Sequence, residues 1–256
     1  MVAGYAITPF YFNITMYLKH KQYKSVDNSL PSKTLQDIES HIYAKHSYIN
    51  REDLINWGHE TTHGINSWVG LNYKKKQALY CLNDRLAVLD FPENLRIRDF
   101  AEKIPTQIRS GGYETYITGA IRDWDDNPLY LLNEWIAYCN GNQVGFELLA
   151  NKRDLGRLLP VNRTVEIMQY SIIMVYFSPV KYHNYIRWFM EEWTDQTLYQ
   201  VSELFKLKTN DFIKKDCKNL LGNFLYAKEC KVYTDFAKIY LKKRLELFYG
   251  EIVNSI

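Results

Sequence analysis

The chain has 256 residues, of which 46% are hydrophobic and 15% aromatic, and its formal net charge at pH 7 is +3. This apolar content can fill one large core or two modest ones, and it argues against intrinsic disorder. The small net charge gives no reason to expect nucleic acid as a partner. We also expect a soluble protein, because the sequence has no apolar run of about 18 residues or more, the length that a membrane helix requires.

The cysteines and the N-terminus say little about the compartment. Cys81, Cys139, Cys217 and Cys230 form no CxxC pair, so a zinc site built from cysteines is not expected. Their even number permits two disulfides without requiring any. The N-terminus lacks a basic start followed by an apolar block, so no signal peptide is visible. A secreted protein whose leader has been removed remains one alternative.

Two elements are predicted before residue 50. Residues 4–18 combine β-branched and aromatic side chains with partial alternation, which indicates one strand or two short strands. Residues 33–47 carry apolar side chains at helical spacing, and Ser32 or Thr34 is suited to cap this amphipathic helix.

A second helix is predicted at about 51–71. Asn50 is suited to be its N-cap, and acidic residues follow in the first turn, where the helix dipole favours them. Gly58 and Gly64 each lower helix propensity by about 1 kcal/mol relative to alanine. Glycines at these positions would, however, allow another backbone to pack closely against the helix.

This helix contains the motif His-Glu-Thr-Thr-His at residues 59–63. Two imidazoles four residues apart lie one above the other, because a helical turn takes about 3.6 residues. His59 and His63 can therefore bind one divalent metal, for which zinc is the first choice. Glu60 can take a proton from a water molecule activated by that metal. The alternative is a half-buried helix whose two histidines make only ordinary hydrogen bonds.

Three elements are predicted between this helix and residue 120. Residues 78–91 are strand-like on both sides of Asn83-Asp84, a dipeptide suited to a hairpin turn. Residues 94–104 indicate a short helix. Residues 111–120 (GGYETYITGA) indicate a loop and a strand, and the paired glycines would let the backbone approach a ligand or metal closely.

A catalytic zinc site usually takes three protein ligands and keeps one position for water. Asn66 and Val69 stand where an HExxHxxGxxH motif has its glycine and third histidine, so a further ligand must come from elsewhere. The best donor is Glu134, on a helix predicted from about Pro128 to residue 150 with a weak point at Gly141. An unpaired carboxylate in this apolar segment is costly. Metal ligation would explain it, and so would a salt bridge with a lysine or arginine.

Tyr138 lies one turn after Glu134 on the same face of that helix. Its hydroxyl could donate a hydrogen bond to a substrate oxygen as negative charge develops there. The alternative is a core tyrosine whose hydroxyl is satisfied within the protein.

The C-terminal part carries helix-period apolar residues with lysine and glutamate between them, at 163–178, 180–206, 209–229 and 231–250. We therefore expect an α+β fold. A metal-binding half at 1–158, with a small sheet and the motif helix, is followed by a mostly α-helical part at 159–256 that packs on it. A cleft between the two would be a usual place for a substrate.

The motif HETTH, followed at a distance by NEWIAY at 133–138, resembles the gluzincin branch of the zincin metallopeptidases. The resemblance implies a zincin-like fold in the metal-binding half. It also implies His59 and His63 as zinc ligands, Glu60 as the general base and Glu134 as the third ligand.

The gap between the two motifs is much longer than in thermolysin-like enzymes, so the third ligand has alternatives. These are carboxylates between the motifs: Glu114, Asp123, Asp125 and Asp126.

The sequence thus predicts a zinc-dependent metallopeptidase that hydrolyses peptide bonds in a protein or peptide substrate. A second hypothesis is an amidase that acts on peptidoglycan-type peptide. A third is an interaction protein that keeps a metallopeptidase fold without catalysis. The oligomeric state stays open.

Overall fold

The computed structural model describes residues 15–17, 30–42, 52–73, 76–151, 158–241 and 249–250. These residues form a mostly helical protein with a small antiparallel sheet, so helices dominate the first half more than the α+β prediction implies. The sheet has the strand order β1-β3-β2. None of the described helices combines the length and apolar character needed to cross a membrane.

The strands and helices follow one another in this order: β1 (Thr15–Tyr17), α1 (Lys33–Ser40), α2 (Leu54–Gly70), β2 (Lys76–Tyr80), β3 (Arg85–Asp90), α3 (Ile97–Ala101), α4 (Gly111–Tyr113), a π-helix (Glu114–Thr118), α5 (Ala120–Trp124), α6 (Tyr130–Ala150), α7 (Val161–Phe177), α8 (Val180–Lys206), α9 (Asp211–Tyr226) and α10 (Lys231–Leu241). Short 3-10 turns lie at Thr106–Ile108 and Lys228–Cys230.

The first helices begin at capping side chains. Ser32 accepts a hydrogen bond from the Leu35 N–H at the start of α1, as predicted, whereas the part of the predicted helix beyond residue 42 lies outside the described residues. The motif helix α2 begins later than expected, because Asp53 accepts the Asn56 N–H at 3.1 Å and acts as the N-cap. The prediction of a cap at Asn50 is therefore wrong.

The predicted hairpin is confirmed. Strands β2 and β3 pair antiparallel, and the turn between them holds Leu82, Asn83 and Asp84 at positive φ angles of 61°, 53° and 59°. Asparagine and aspartate tolerate this left-handed conformation better than most residues. Strand β1 pairs with the other edge of β3. The remainder of the strand predicted at 4–18 lies outside the described residues.

The strand predicted within 111–120 is wrong, because this segment is helical throughout and includes a π-helix. Its buried residues are Gly112, Ile117 and Ala120, a spacing that suits a helix and not the alternation of a strand. β-branched and aromatic residues indicated a strand here, but packing against the core overrides that local preference.

The C-terminal helices agree well with their predicted positions. The last one, α10, is described to Leu241, and residues 242–248 lie outside the described part. Buried hydrophobic side chains from before and after residue 158 belong to one continuous cluster. The division of the chain into 1–158 and 159–256 stays a prediction. All four cysteines are free and buried.

Helices α2 and α6 approach each other closely because glycines lie at their contact. A Cβ atom on Gly58 would lie 3.0 Å from Cγ2 of Val144, and one on Gly141 would lie 2.9 Å from the carbonyl oxygen of Ile55. The close approach predicted at Gly58 is therefore confirmed. Gly141 does not interrupt α6, which continues unbroken to Ala150.

This packing makes Gly141→Ala a test of the α2–α6 contact. The added methyl would press on the Ile55 carbonyl and lie 3.3 Å from Cβ of His59. We expect the free energy of unfolding to fall by about 1–3 kcal/mol, although alanine favours a helix by up to about 1 kcal/mol over glycine. Urea denaturation measures the change.

Gly70→Ala, on α2, is the matched control, since a Cβ there meets nothing within 4 Å. It should leave stability unchanged or raise it. Equal stability of the two variants would contradict close packing at Gly141.

Candidate metal centre

Three predicted metal-binding side chains come together between α2 and α6. The Nε2 atoms of His59 and His63 lie 3.1 Å apart. The carboxylate of Glu134 reaches both rings, with Oε1 3.4 Å from Nε2 of His63 and Oε2 3.6 Å from Nε2 of His59. Among the described residues, these three form a group that could hold a metal ion.

The separations suit a single tetrahedral ion. With metal–ligand bonds of about 2.0–2.1 Å, two neighbouring ligand atoms stand about 3.3–3.4 Å apart. The separations of 3.1, 3.4 and 3.6 Å lie around that value. Two imidazoles and one carboxylate are also the kind of donor set that catalytic zinc sites use.

Burial and neighbouring charges shift the pKa values of these three side chains in different directions. Burial and, to a smaller extent, the nearby His63 lower the pKa of His59 to about 3, so His59 is neutral. Burial also acts to lower the pKa of His63, but the hydrogen bond and charge of Glu134 outweigh it and raise that pKa above its usual value. Burial would raise the pKa of Glu134, yet the hydrogen bond and charge of His63 hold it below its usual value. A metal ion would therefore displace a proton held between His63 and Glu134.

One ring nitrogen of His59 lacks a hydrogen-bond partner within the described part of the chain. Its Nδ1 atom is buried and has no hydrogen-bond partner among the residues described. An unsatisfied buried polar atom costs about 1–3 kcal/mol. Ligation of a metal through Nε2 would leave this Nδ1 atom without a partner as well, so the cost arises with or without the ion.

An asparagine pair orients the second histidine. Asn133 Oδ1 lies 3.1 Å from Nδ1 of His63 and accepts a hydrogen bond of 2.5 Å from the side-chain amide of Asn66. Asn66 in turn accepts the N–H of Tyr80, at the end of β2, at 2.6 Å. Because Asn133 Oδ1 is an acceptor, Nδ1 of His63 carries a hydrogen, and Nε2 is the ring nitrogen that would bind a metal ion once the proton shared with Glu134 is lost.

Asn133→Ala tests this orientation. Loss of the acceptor frees the His63 ring, and loss of such a supporting group weakens metal affinity by about 10–100-fold. Competition for zinc with a chromophoric chelator measures the affinity.

Asn133→Asp is the control, because it keeps an acceptor oxygen for His63 and Asn66 in a side chain of the same size. It should bind zinc at least as tightly as the wild-type chain. Unchanged affinity in Asn133→Ala would show that Asn133 does not orient a metal ligand.

A cavity of about 710 Å³ opens beside the three donors. Glu60 lines this cavity together with His59, His63 and Glu134, so the predicted general base lies on the same wall as the predicted ligands. The remaining lining residues are Asp53, Ile55, Asn56, Tyr116, Tyr138, Gly141, Asn142, Leu158 and Pro160. The volume lies within the range typical of small-molecule sites, about 300–1,000 Å³.

Tyr138 lies on the cavity wall, with its ring centroid 4.3 Å from that of His59, and its role as a donor to the substrate stays a prediction. Its hydroxyl is hydrogen-bonded to the hydroxyl of Tyr116. Burial raises the pKa of both tyrosines, so both keep their hydrogens at neutral pH. A third tyrosine, Tyr130, forms a hydrogen bond that helps to lower the pKa of Glu134.

The sequence did not identify three residues that lie at the site: Tyr116, Tyr130 and Asn133. Tyr130 stands four residues before Glu134, a helical spacing that could have identified it. Nothing in the sequence pattern around Asn133 indicated that it would support a metal ligand. Tyr116 could not be found, because its segment was expected to be a strand.

The four alternative carboxylates do not join this group. Glu114 is exposed, and the three aspartates form ion pairs with arginines. The pairs are Arg122–Asp123, Arg98–Asp125 and Arg96–Asp126.

A second group of possible ligands, Asp37, His41 and Asp84, is explained by hydrogen bonds. Asp37 accepts the hydroxyl of Tyr80 at 2.7 Å and the N–H of Asn83 at 3.0 Å. His41 Nε2 lies 2.8 Å from Asp84, which is the distance of a direct hydrogen bond. Asp84 is mostly exposed. The His59, His63 and Glu134 group is therefore the stronger metal candidate.

The chain matches no protein-family model, no curated protein and no solved structure. What the fold and site define is a mostly helical protein with a buried His–His–Glu group that could bind a metal ion.

Proposed function

We propose that the chain is a zinc-dependent metallopeptidase of the gluzincin type, with a zincin-like arrangement around α2 and α6, and that it hydrolyses peptide bonds of a protein or peptide. One observation carries the proposal. Both histidines of the HExxH motif meet Glu134, which is distant in sequence, at the wall of a cavity that Glu60 also lines.

His59, His63 and Glu134 would hold the zinc ion. The described residues offer three ligands here, whereas a structural zinc site usually has four from the protein. Three ligands favour a catalytic site over a structural one. When bound, zinc lowers the pKa of a water molecule toward about 7 and polarises the substrate carbonyl.

Glu60 supplies the general base of this proposal. It follows His59 directly on α2, is half-buried and lines the same cavity. It accepts a proton from the attacking water and later delivers that proton to the departing amine. Tyr138 donates a hydrogen bond to the substrate oxygen as that oxygen becomes negative.

Hydrolysis of a peptidoglycan-type peptide would use the same chemistry and is the second candidate function. A panel that contains unstructured proteins, short peptides and muropeptides separates the two. If the zinc-loaded chain cleaves no member of the panel, the binding role of the third hypothesis is favoured.

Glu60→Gln tests the general base. The variant should keep one zinc per chain, because Glu60 is not a ligand in this proposal. Its kcat should fall by about 10²–10⁴-fold, the usual contribution of general acid–base catalysis. Elemental analysis and the rate on the best substrate of the panel measure the two properties.

Glu102→Gln makes the same chemical change at an exposed position away from the cavity and should match the wild-type rate. Full activity in Glu60→Gln would make the assignment of the base wrong.

A further inference from the structure

Two tyrosine hydroxyls meet at the wall of the cavity. Tyr138 comes from α6, and Tyr116 comes from the π-helix Glu114–Thr118. Their rings are perpendicular, with centroids 6.0 Å apart, and their hydroxyl oxygens are hydrogen-bonded. Both side chains line the cavity together with His59 and Glu60.

The hydrogen count of this pair leaves one donor available. Each tyrosine hydroxyl has one hydrogen, and the bond between the two oxygens uses one of them. The hydroxyl that accepts this bond keeps its own hydrogen for a third group. A hydroxyl that accepts a hydrogen bond also becomes a stronger donor, because bonds in a chain polarise one another.

The contacts of the two tyrosines indicate which of them lies closer to the metal-binding side chains. Tyr138 packs its ring against His59, at 4.3 Å and an angle of 67°, and stands one helical turn after Glu134. Tyr116 also lines the cavity, but among the described residues its hydrogen bond and its ring contact are both with Tyr138. The inner tyrosine is therefore Tyr138, and Tyr116 supports it from outside.

The segment that carries Tyr116 is anchored at its start. Glu166, which is fully buried, accepts the N–H of Ser110 at 3.2 Å and a hydrogen bond from Arg163 at 2.9 Å. A Cβ atom on Gly112 would collide with the same carboxylate, so only glycine allows this approach. A π-helix follows directly, and such turns are rare and frequently occur at functional sites.

From this geometry we propose that Tyr116 is a positioning residue for the proposed hydrolysis: it donates to Tyr138 and thereby directs the remaining hydrogen of Tyr138 toward the substrate oxygen. The inference rests on the proposed function. It involves hydrogen bonding alone, and both tyrosines keep their protons throughout.

Tyr116→Phe removes the supporting hydroxyl and keeps the ring. In the zinc-loaded full chain, kcat should fall about tenfold while KM changes by less than about twofold, because the lost interaction strengthens only as the oxygen becomes negative. The kcat of Tyr138→Phe should fall further, on the order of 10²-fold, because removal of a direct oxyanion donor typically has an effect of that size.

The double variant distinguishes a support from an independent donor. Because Tyr116 acts through Tyr138, the double variant should be no slower than Tyr138→Phe alone. If the two losses multiply, or if Tyr116→Phe keeps the wild-type kcat, the inference is overturned.

Tyr113→Phe is the matched control, since this hydroxyl bonds to the carbonyl of Ala101 outside the cavity. Its kcat should equal that of the wild-type chain. All variants should keep one zinc per chain and similar thermal unfolding. A loss of kcat in Tyr116→Phe that follows a loss of metal or stability would assign Tyr116 a structural role and overturn the inference.

A binding measurement gives a second readout. An N-phosphoryl dipeptide carries tetrahedral phosphoryl oxygens that mimic the charged intermediate, and Tyr116→Phe should weaken its binding by the same factor as kcat. Equal binding to both proteins would count against the inference.

If the wild-type chain cleaves nothing in the panel, the proposed function itself fails. If it is active and Glu60→Gln is not, while Tyr116→Phe keeps full kcat, only the role of Tyr116 fails.

Discussion

The close packing of α2 on α6 is the constraint on which the rest of the site depends. The two histidines belong to one helix and Glu134 to another, so the group exists only while the two backbones stay near each other. Gly58 and Gly141 permit that distance, since a methyl on either would press on the opposite helix. The glycines that weaken the helices locally therefore allow the carboxylate to approach the imidazoles.

Electrostatics and hydrogen bonding make the three side chains suitable for binding a cation. His59 is neutral because it is buried, and His63 and Glu134 stabilise each other's charged forms. Asn133 and Asn66 connect His63 to the edge of the sheet, so the small sheet serves to fix a ring orientation. A site built in this way has little freedom to rearrange, which is what fixed ligand geometry requires.

The sequence predicted the parts of the site that depend on local spacing. The four-residue interval between His59 and His63 determines their arrangement on any helix, and the apolar surroundings of Glu134 identified it before its position was known. The sequence could not predict what depends on packing between distant segments. Tyr116 is the clearest case. It belongs to a segment with strand-like residues that forms a π-helix packed on the core, and this places the Tyr116 hydroxyl against that of Tyr138. The cap at Asp53 was missed for a smaller reason, since several polar residues in a row could each have begun the helix.

X-ray absorption and anomalous diffraction on zinc-loaded crystals test the central claim most directly. We predict one ion per chain, bound by Nε2 of His59, Nε2 of His63 and the carboxylate of Glu134 at about 2.0–2.2 Å. A zinc-saturated protein in which these three side chains bind no ion, or in which the ion lies instead at Asp37, His41 and Asp84, would contradict it.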